Sequence, residues 1–272
     1  MFGAAAAMAL AQKLDAKLAF EVGALENGAW NYELGRFAIP ATEQSKRTSK
    51  RSAWSRLVNN KRPTAPPDWH GTVWKEKSFH FDESFEAIDA SAYLMGYFQS
   101  PKYFDRSADL VRRSFDLHAH LSETGKSYAS VVGGDDTVAV HIRRGDYVSN
   151  PKATAVHGLL GTDYYARALG LIARTIPSPR VFVVSDEPET ARQVISGWPG
   201  AEFVTGTTMF DDMHLISACR HHVIANSSFS WWGAWLDPRP DGITVAPRAW
   251  FSRDKLLTTY VGDLFPPGWF LT

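Results

Sequence analysis

Four chemically active side chains lie in or directly after one apolar segment: His141, Arg143, Arg144 and Asp146. Alternate residues of a strand share a face, so we expect His141 and Arg143 to bring two cations together where this segment ends. Paired guanidiniums beside an imidazole suit a diphosphate without a metal. A local ion-pair network of Arg143, Arg144 and Asp146 is the alternative. Asp146 fits either an orienting role or that of a general base.

A second apolar segment ends in Ser185 and Asp186. With Pro188 and Glu189 following, Asp186 fits the N-cap of a helix, which needs no ligand. The alternative is that Ser185 or Asp186 contacts a nucleotide, because a carboxylate can accept hydrogen bonds from the N–H groups of guanine. The sequence leaves both interpretations open.

A third apolar segment is followed by Asn226, Ser227 and Ser228, which open a tryptophan-rich helical segment. Free N–H groups at a helix start, enriched in hydroxyls, favour anion binding. The alternative is ordinary capping by Ser227 or Ser228, with Trp232 and Trp235 buried on one helix face. We expect the tryptophans to be core residues and the serines to be the better functional candidates.

Alternating strands and helices after residue 135 would position these residues and predict a parallel sheet. The predicted strands are 137–143, 181–184, 222–225 and 243–246, and the predicted helices are 162–175, 187–196 and 211–220. Ligands of such sheets bind at the carboxyl ends of the strands. Near the amino terminus, the spacing of Leu10, Leu14 and Leu18 predicts one more helix.

Composition excludes several classes of function. The chain has 29 basic and 29 acidic residues, so nucleic-acid binding by bulk charge is not expected. A bilayer requires an apolar stretch of about 20 residues, and the sequence contains none. The single cysteine, Cys219, favours a reducing, cytoplasmic compartment. Lys46 to Arg62 holds seven basic and no acidic residues; it is either a solvated surface or a contact with an acidic acceptor or the inner face of a membrane.

Three common motifs for binding metals or nucleotide phosphates are absent from the sequence. No two aspartates are separated by one residue, so the chain has no Asp-x-Asp pair, and it has no P-loop and no G-x-G-x-x-G segment. His221 and His222 lie beside Cys219, but neighbouring strand residues point to opposite faces. We therefore expect the histidines to be structural and no metal cofactor to be needed.

Five segments, in the same order, resemble those of the α-1,2-fucosyltransferases, glycosyltransferase family 11: Gly96 to Phe104, His141 to Tyr147, His157-Gly158 with Tyr164-Tyr165, Val181 to Asp186, and Asp212 to Leu236. The second of these is similar to the family's His-x-Arg-Arg-x-Asp motif, which is associated with GDP-fucose binding. One departure is Asp186-Glu187, because the family usually has two aspartates after the serine.

The resemblance implies an α/β fold of the GT-B type, in which two Rossmann-like halves with parallel sheets face a cleft. Residues 1–134 would form the acceptor-side half and residues 135–272 the half that binds GDP-fucose. Family members transfer L-fucose from GDP-β-L-fucose to the 2-hydroxyl of a terminal β-galactose, with inversion and without an obligatory metal. The acceptor would be a galactose-terminated glycan or a lipid-linked oligosaccharide precursor.

The resemblance also assigns roles to the candidate residues. Arg143 and Arg144 would hold the diphosphate and stabilise it as the leaving group. His141, Ser185 and Asp186 would lie beside the nucleotide, and Asn226, Ser227 and Ser228 would line the donor pocket. Asp146 is the candidate catalytic base because it shares a turn with the arginines.

Family members normally have a strand and a Gly-rich loop directly before a Met-Phe dipeptide like Met1-Phe2. We therefore expect either a start codon placed too late or an amino half without this strand and loop. Three alternatives stay open: a GDP-fucose transferase with another acceptor linkage, a non-catalytic remnant that binds nucleotide sugars, and a peripheral membrane protein that uses residues 46–62.

Overall fold

The computed structural model describes residues 1–21, 33–45, 69–145 and 150–272. They form two compact units. The amino unit comprises Met1–Asp116 and Gly262–Leu264, and the carboxyl unit comprises Leu117–Val261 and Phe265–Thr272. No helix within the described ranges combines the length and apolar character needed to cross a bilayer.

Within the described residues, the amino unit contains two helices and two small sheets. Its elements are α1 (Phe2–Leu14), β1 (Leu18–Glu21), β2 (Ala41–Ser45), β3 (Thr72–Lys75), β4 (Ala92–Met95) and α2 (Ala108–Ser114). Strands β1 and β2 pair in parallel, as do β3 and β4. Short 3-10 helices occur at Leu34–Arg36, Glu83–Phe85, Pro101–Tyr103, Asp105–Ser107 and Gly262–Leu264. An aromatic cluster that includes Trp74, Phe85, Phe98 and Tyr103 fills the space beside β3.

The carboxyl unit is built on one parallel sheet of six strands. The strands are β5 (Thr137–Ile142), β6 (Arg180–Ser185), β7 (Glu202–Phe203), β8 (His221–Val223), β9 (Thr244–Ala246) and β10 (Phe270–Leu271). Their order across the sheet is β10-β9-β8-β5-β6-β7, and every pairing is parallel. This order is that of a doubly wound dinucleotide-binding sheet.

Helices cover both faces of this sheet. They are α3 (Glu123–Ala129), α4 (Pro151–His157), α5 (Thr162–Ala173), α6 (Pro188–Val194), α7 (Met209–Ala218), α8 (Ser228–Leu236) and α9 (Arg253–Leu256), with a 3-10 helix at His118–His120. Val138, Val140 and Ile142 pack against α5 and α6 on one face. Ala139 packs with residues of α7 on the other face. All six residues of β5 are buried, because β5 is central and covered on both sides.

The prediction of an α/β fold with parallel sheets is confirmed, and the four strands and three helices predicted after residue 135 are present with small differences at their ends. The amino-terminal helix was predicted too long. It ends at Leu14, its C-cap Asp15 adopts a left-handed conformation with φ 50°, and Leu18 begins β1 instead. A left-handed residue ends a helix because it turns the chain away from the helix axis.

The division between the units falls at residue 116, whereas the sequence placed it at residue 134. Residues 117–134 belong to the carboxyl unit because they pack on α7. Ser122, the N-cap of α3, donates hydrogen bonds from both its backbone N and its Oγ to the buried carboxylate of Asp211.

Candidate active site

The candidate site lies where the sheet order reverses. From β5 the chain proceeds through β6 to β7 on one side, and β8 to β10 lie on the other. Such a reversal leaves a crevice at the carboxyl ends of the two strands that flank it, here β5 and β8. His141 and Arg143 lie at the end of β5, and Asn226 follows β8. The rings of His141 and Phe229 are 5.6 Å apart, so the end of β5 lies beside the start of α8.

Arg143 presents a guanidinium that is held by a carboxylate. Its Nη1 lies 3.0 Å from Oδ2 of Asp186, and the two side chains are 29% and 26% exposed. Oδ1 of Asp186 accepts a hydrogen bond of 2.9 Å from the backbone N of Arg144. A Cβ on Gly145 would lie 2.5 Å from Oδ2 of Asp186, so a larger residue here would displace this carboxylate. The carboxylate therefore fixes both the side chain of Arg143 and the turn that carries it.

Arg144 is placed differently from Arg143. It is only 8% exposed, and its Nη2 donates a 2.7 Å hydrogen bond to the carbonyl of Leu160. Its Nε is buried and has no hydrogen-bond partner within the described part of the chain. A buried donor of this kind is costly unless it is satisfied. Arg143 is the more accessible of the two arginines, because its side chain is 29% exposed. A phosphate contact by Arg144 stays a prediction.

His141 does not contribute the expected positive charge. Burial, and secondarily the charge of Arg143, lowers the pKa of His141 to about 3. The ring is therefore neutral at pH 7, and the prediction of two converging cations was wrong at this position. Its Nδ1 is buried without a hydrogen-bond partner among the residues described. A neutral imidazole can still donate or accept a hydrogen bond to a ligand.

Of the two interpretations of Asp186, the capping role is wrong, and a nucleotide contact stays a prediction. Helix α6 begins at Pro188, its N-cap is Glu187, and no side chain caps it. Asp186 instead pairs with Arg143 and accepts a hydrogen bond from the backbone N of Arg144. Ser185 Oγ donates a 2.7 Å hydrogen bond to the carbonyl of Ile142 and accepts one from the backbone N of Glu187. Ser185 therefore joins the ends of β5 and β6.

The start of α8 combines capping with exposed polar groups. Ser227 is the N-cap and accepts a hydrogen bond from the backbone N of Phe229, as the capping interpretation predicts. Ser228 is exposed, while Asn226 is buried and its Nδ2 donates to the carbonyl of His157 at 2.8 Å. The prediction that Trp232 and Trp235 are core residues is confirmed; their rings pack edge to face.

Two tyrosines of α5 support the strand ends, and the sequence reasoning assigned them no role. The hydroxyl of Tyr165 donates to the carbonyl of His141 at 3.3 Å. The hydroxyl of Tyr164 donates to the carbonyls of Ile224 and Val245 at 2.6 and 3.2 Å. Burial raises the pKa of both tyrosines, so both hydroxyls stay protonated donors. In the sequence, this supporting role could have been predicted from the two adjacent tyrosines at the start of a buried helix.

We expect Tyr164→Phe to lower the free energy of unfolding by about 1 to 2 kcal/mol, because it removes the hydroxyl that donates to the buried carbonyl of Ile224 at 2.6 Å. The carbonyl of Val245 keeps the backbone N of Ile224 as a donor. Urea unfolding followed by tryptophan fluorescence measures this change. Tyr165→Phe is the matched control and should cost less, since its single hydrogen bond is longer. Equal stability of Tyr164→Phe and the wild type would contradict the proposed support of the strand ends.

The remaining predicted residues divide into two groups. Asp146 and residues 46–62 lie outside the described residues, so the base and the basic segment stay predictions.

The structural role of the two histidines is confirmed. His221 Nδ1 accepts from the backbone N of Ile243, and His222 Nδ1 lies 3.0 Å from Oγ1 of Thr244. Within the described ranges, no three or more His, Cys, Asp or Glu side chains are grouped to hold a metal ion.

Comparison with known families identifies the chain. The sequence model of glycosyl transferase family 11 matches residues 34–271. The chain belongs to glycosyl transferase family 11. The match spans most of the 272 residues, including every described residue of the candidate site.

Relatives within this family differ in the sugar they are named for. The chain is 36% identical over 174 residues to an alpha-1,2-colitosyltransferase of Escherichia coli, covering 62% of this chain and 60% of that protein. It is 28% identical over 187 residues to galactoside alpha-(1,2)-fucosyltransferase 1 of Pan troglodytes, covering 63% and 51%. The chain thus spans about half to three fifths of the length of these relatives.

One solved structure found in the comparison is that of POFUT1 in complex with GDP. The match has a TM-score of 0.39 and 15% sequence identity, and it covers 59% of this chain and 56% of that chain.

Proposed function

We propose that this family 11 glycosyltransferase moves L-fucose from GDP-β-L-fucose to the 2-hydroxyl of a terminal β-galactoside, with inversion and without a metal. The observation that carries this proposal is the guanidinium of Arg143, held by Asp186 at the switch point of a doubly wound sheet. His141 of the same strand contacts Phe229 in the first turn of α8. A fixed cation and free helix N–H groups are both suited to a diphosphate.

Departure of GDP is the step to which these residues contribute. Negative charge grows on the β-phosphate as the bond to the sugar breaks, so a cation fixed in advance stabilises the transition state more than the bound substrate. Arg143 supplies this charge, and Asp186 keeps its guanidinium oriented. Arg144, Ser185, Asn226, Ser227 and Ser228 complete the proposed donor site. His141 is neutral and contributes hydrogen bonding instead of charge.

The acceptor hydroxyl requires only a weak base in this mechanism. The fucosyl carbon develops oxocarbenium character, so the hydroxyl loses its proton late in the reaction. We propose Asp146, which follows the arginine turn in sequence, as this base. The same proposal includes a GT-B-type arrangement, in which two halves face a cleft. It also includes a cytoplasmic location at the inner face of a membrane.

Transfer of colitose is a second candidate function. The 36% identity to an alpha-1,2-colitosyltransferase favours it, and the nucleotide-binding residues do not distinguish between the two sugars. Fucose transfer with a different linkage is a third candidate, and nucleotide-sugar binding without catalysis is a fourth. Comparing kcat/KM for GDP-fucose and a GDP-colitose donor, followed by linkage analysis of the product, separates these four functions.

The direct test incubates the 272-residue protein with GDP-fucose and lactose in excess EDTA. We expect an α-1,2-fucosylated product at the rate measured with added Mg²⁺, because arginine charge takes the place of the metal. A control without lactose measures hydrolysis of the donor. Loss of transfer in EDTA that Mn²⁺ or Mg²⁺ restores would contradict the metal-independent mechanism. GDP binding without transfer to any galactoside would favour the non-catalytic function.

A further inference from the structure

The C-terminal end of helix α4 is held by groups from other parts of the carboxyl unit. The last carbonyls of a helix have no partner within the helix. Ser252 donates to two of them: its Oγ to the carbonyl of Ala155 at 2.6 Å, and its backbone N to that of Val156 at 2.8 Å. The Nδ2 of Asn226 donates to the next carbonyl, that of His157, at 2.8 Å. Three successive carbonyls at this end of α4 therefore each have a tertiary donor.

The amide of Asn226 joins α4 to two strand ends. Asn226 follows β8 and is only 3% exposed. Its Nδ2 donates both to the carbonyl of His157 and, at 3.4 Å, to the carbonyl of Trp250, which follows β9. An asparagine side chain has two N–H groups, so these two carbonyls use both of them. This nitrogen consequently has no N–H group left for a ligand.

The turn that follows α4 leads to the buried arginine of the candidate site. Gly158 has a φ of 70°, a left-handed conformation that turns the chain at the end of the helix. A Cβ on Gly158 would lie 3.6 Å from the Cα of Ser252, so the turn packs against Ser252. Two residues later, the carbonyl of Leu160 accepts the 2.7 Å hydrogen bond from Nη2 of Arg144. The turn is thus fixed where α4 ends, and it holds Arg144 where it reaches Leu160.

We propose that Asn226 is a positioning residue: by fixing the turn that ends at Leu160, it sets the place of the guanidinium of Arg144. Arg144 depends on this turn because it is only 8% exposed and its Nε has no hydrogen-bond partner within the described ranges. At so buried a site, a shift of Leu160 would move the guanidinium or leave its donors unsatisfied. The role of Arg144 as a ligand of the diphosphate rests on the proposed function. Asn226 then contributes to donor binding through Arg144 and not by contacting the donor.

The first experiment follows Arg144 without any substrate. In a proton–nitrogen correlation spectrum, its buried Nε–H should give a signal that is protected from exchange with water, and the loss of this signal in Arg144→Lys assigns it. We expect Asn226→Ala to shift or broaden the signal, because the turn loses its anchor. Thr137→Val is the matched control, since Thr137 is also buried and its hydroxyl donates to two backbone carbonyls, but at the other end of β5. It should leave the signal unchanged.

The second experiment is a double-mutant cycle on GDP binding, measured by isothermal titration calorimetry. We expect Asn226→Ala to weaken GDP binding roughly tenfold in the wild type, the size of change expected for one hydrogen bond to a charged group. In an Arg144→Ala background the same substitution should change the affinity by less than about twofold. A residue that only stabilises the fold would not depend on Arg144 in this way. Thr137→Val should bind GDP as the wild type does.

An equal loss of GDP affinity in both backgrounds, or no loss in Asn226→Ala, would overturn the proposal. The same holds for an unchanged Arg144 signal in Asn226→Ala and for the absence of this signal from the wild type. Unchanged GDP affinity in Arg144→Ala would refute only the proposed diphosphate contact, and the Arg144 signal then decides the positioning role. If thermal unfolding shows that Asn226→Ala is not folded, Ser252→Ala removes a donor from the same end of α4 at a partly exposed position and takes its place in both experiments.

Discussion

Replacing Arg143 with alanine should lower kcat/KM for GDP-fucose by roughly 10³-fold, which is at the upper end of losses measured for single groups that stabilise developing negative charge. The loss has two physical causes. The variant lacks the accessible guanidinium at the end of β5, and it leaves the carboxylate of Asp186 without the cation that lies 3.0 Å away. An unpaired carboxylate beside a diphosphate repels it. Initial rates at varied GDP-fucose with saturating lactose measure the effect.

Two further variants separate these causes. Adding Asp186→Asn to Arg143→Ala removes the unpaired carboxylate and should restore part of the lost activity. Arg192→Ala is the matched control, because Arg192 also pairs with a carboxylate, that of Glu189, but on the exposed face of α6. We expect wild-type kinetics from this control, since exposed ion pairs contribute little. Wild-type kcat/KM in Arg143→Ala would show that the guanidinium does not contact the donor.

The location of the candidate site could be predicted from the sequence because it depends on topology. Apolar strands that alternate with helices require a parallel sheet, and a parallel sheet brings the carboxyl ends of its strands to one edge. His141 and Asn226 therefore lie at the same edge of the sheet. The capping role of Ser227 was predictable for a similar reason, because it depends on residues close together in the chain.

The partners of the charged residues could not be predicted in the same way. Asp186 has the local sequence of a helix cap, yet a long-range ion pair with Arg143 determines its position. His141 has a neutral ring because it is buried against Phe229, and no pattern in the sequence shows that burial. Tertiary contacts override local preference at these positions, as is common at functional sites. The boundary at residue 116 likewise depends on Ser122 reaching Asp211, 89 residues away along the chain.

Replacing Asp211 with asparagine should lower the free energy of unfolding of the carboxyl unit by about 3 kcal/mol. The carboxylate is 2% exposed and accepts three hydrogen bonds: from Ser122 N, from Ser122 Oγ and from Thr208 N, at 2.9, 2.7 and 2.8 Å. Every partner is a donor, so the amide group of asparagine would face at least one donor with its own N–H. Urea unfolding followed by tryptophan fluorescence measures the change.

The neighbouring aspartate provides the matched control. Burial raises the pKa of Asp212, and the charge of Asp211 adds to this rise, although Thr207 donates a hydrogen bond to Asp212. The ionised form of Asp212 is therefore disfavoured in the folded protein, and Asp212→Asn should be neutral or stabilising at pH 7. A loss of stability in Asp212→Asn as large as that in Asp211→Asn would contradict this assignment.

The pH dependence of stability gives an independent measure of the role of Asp211. Burial alone would raise the pKa of Asp211, but the hydrogen bonds from Thr208 and Ser122 outweigh it and hold the pKa below the ordinary value of 3.8. The unfolded chain then binds the proton more readily, so this stabilisation is present above the unfolded pKa and is lost as the pH falls through the folded pKa. Between about pH 5 and pH 3 the wild type should lose more of its unfolding free energy than Asp211→Asn does. Parallel curves for the two proteins would mean that the hydrogen bonds to Asp211 do not depend on its charge.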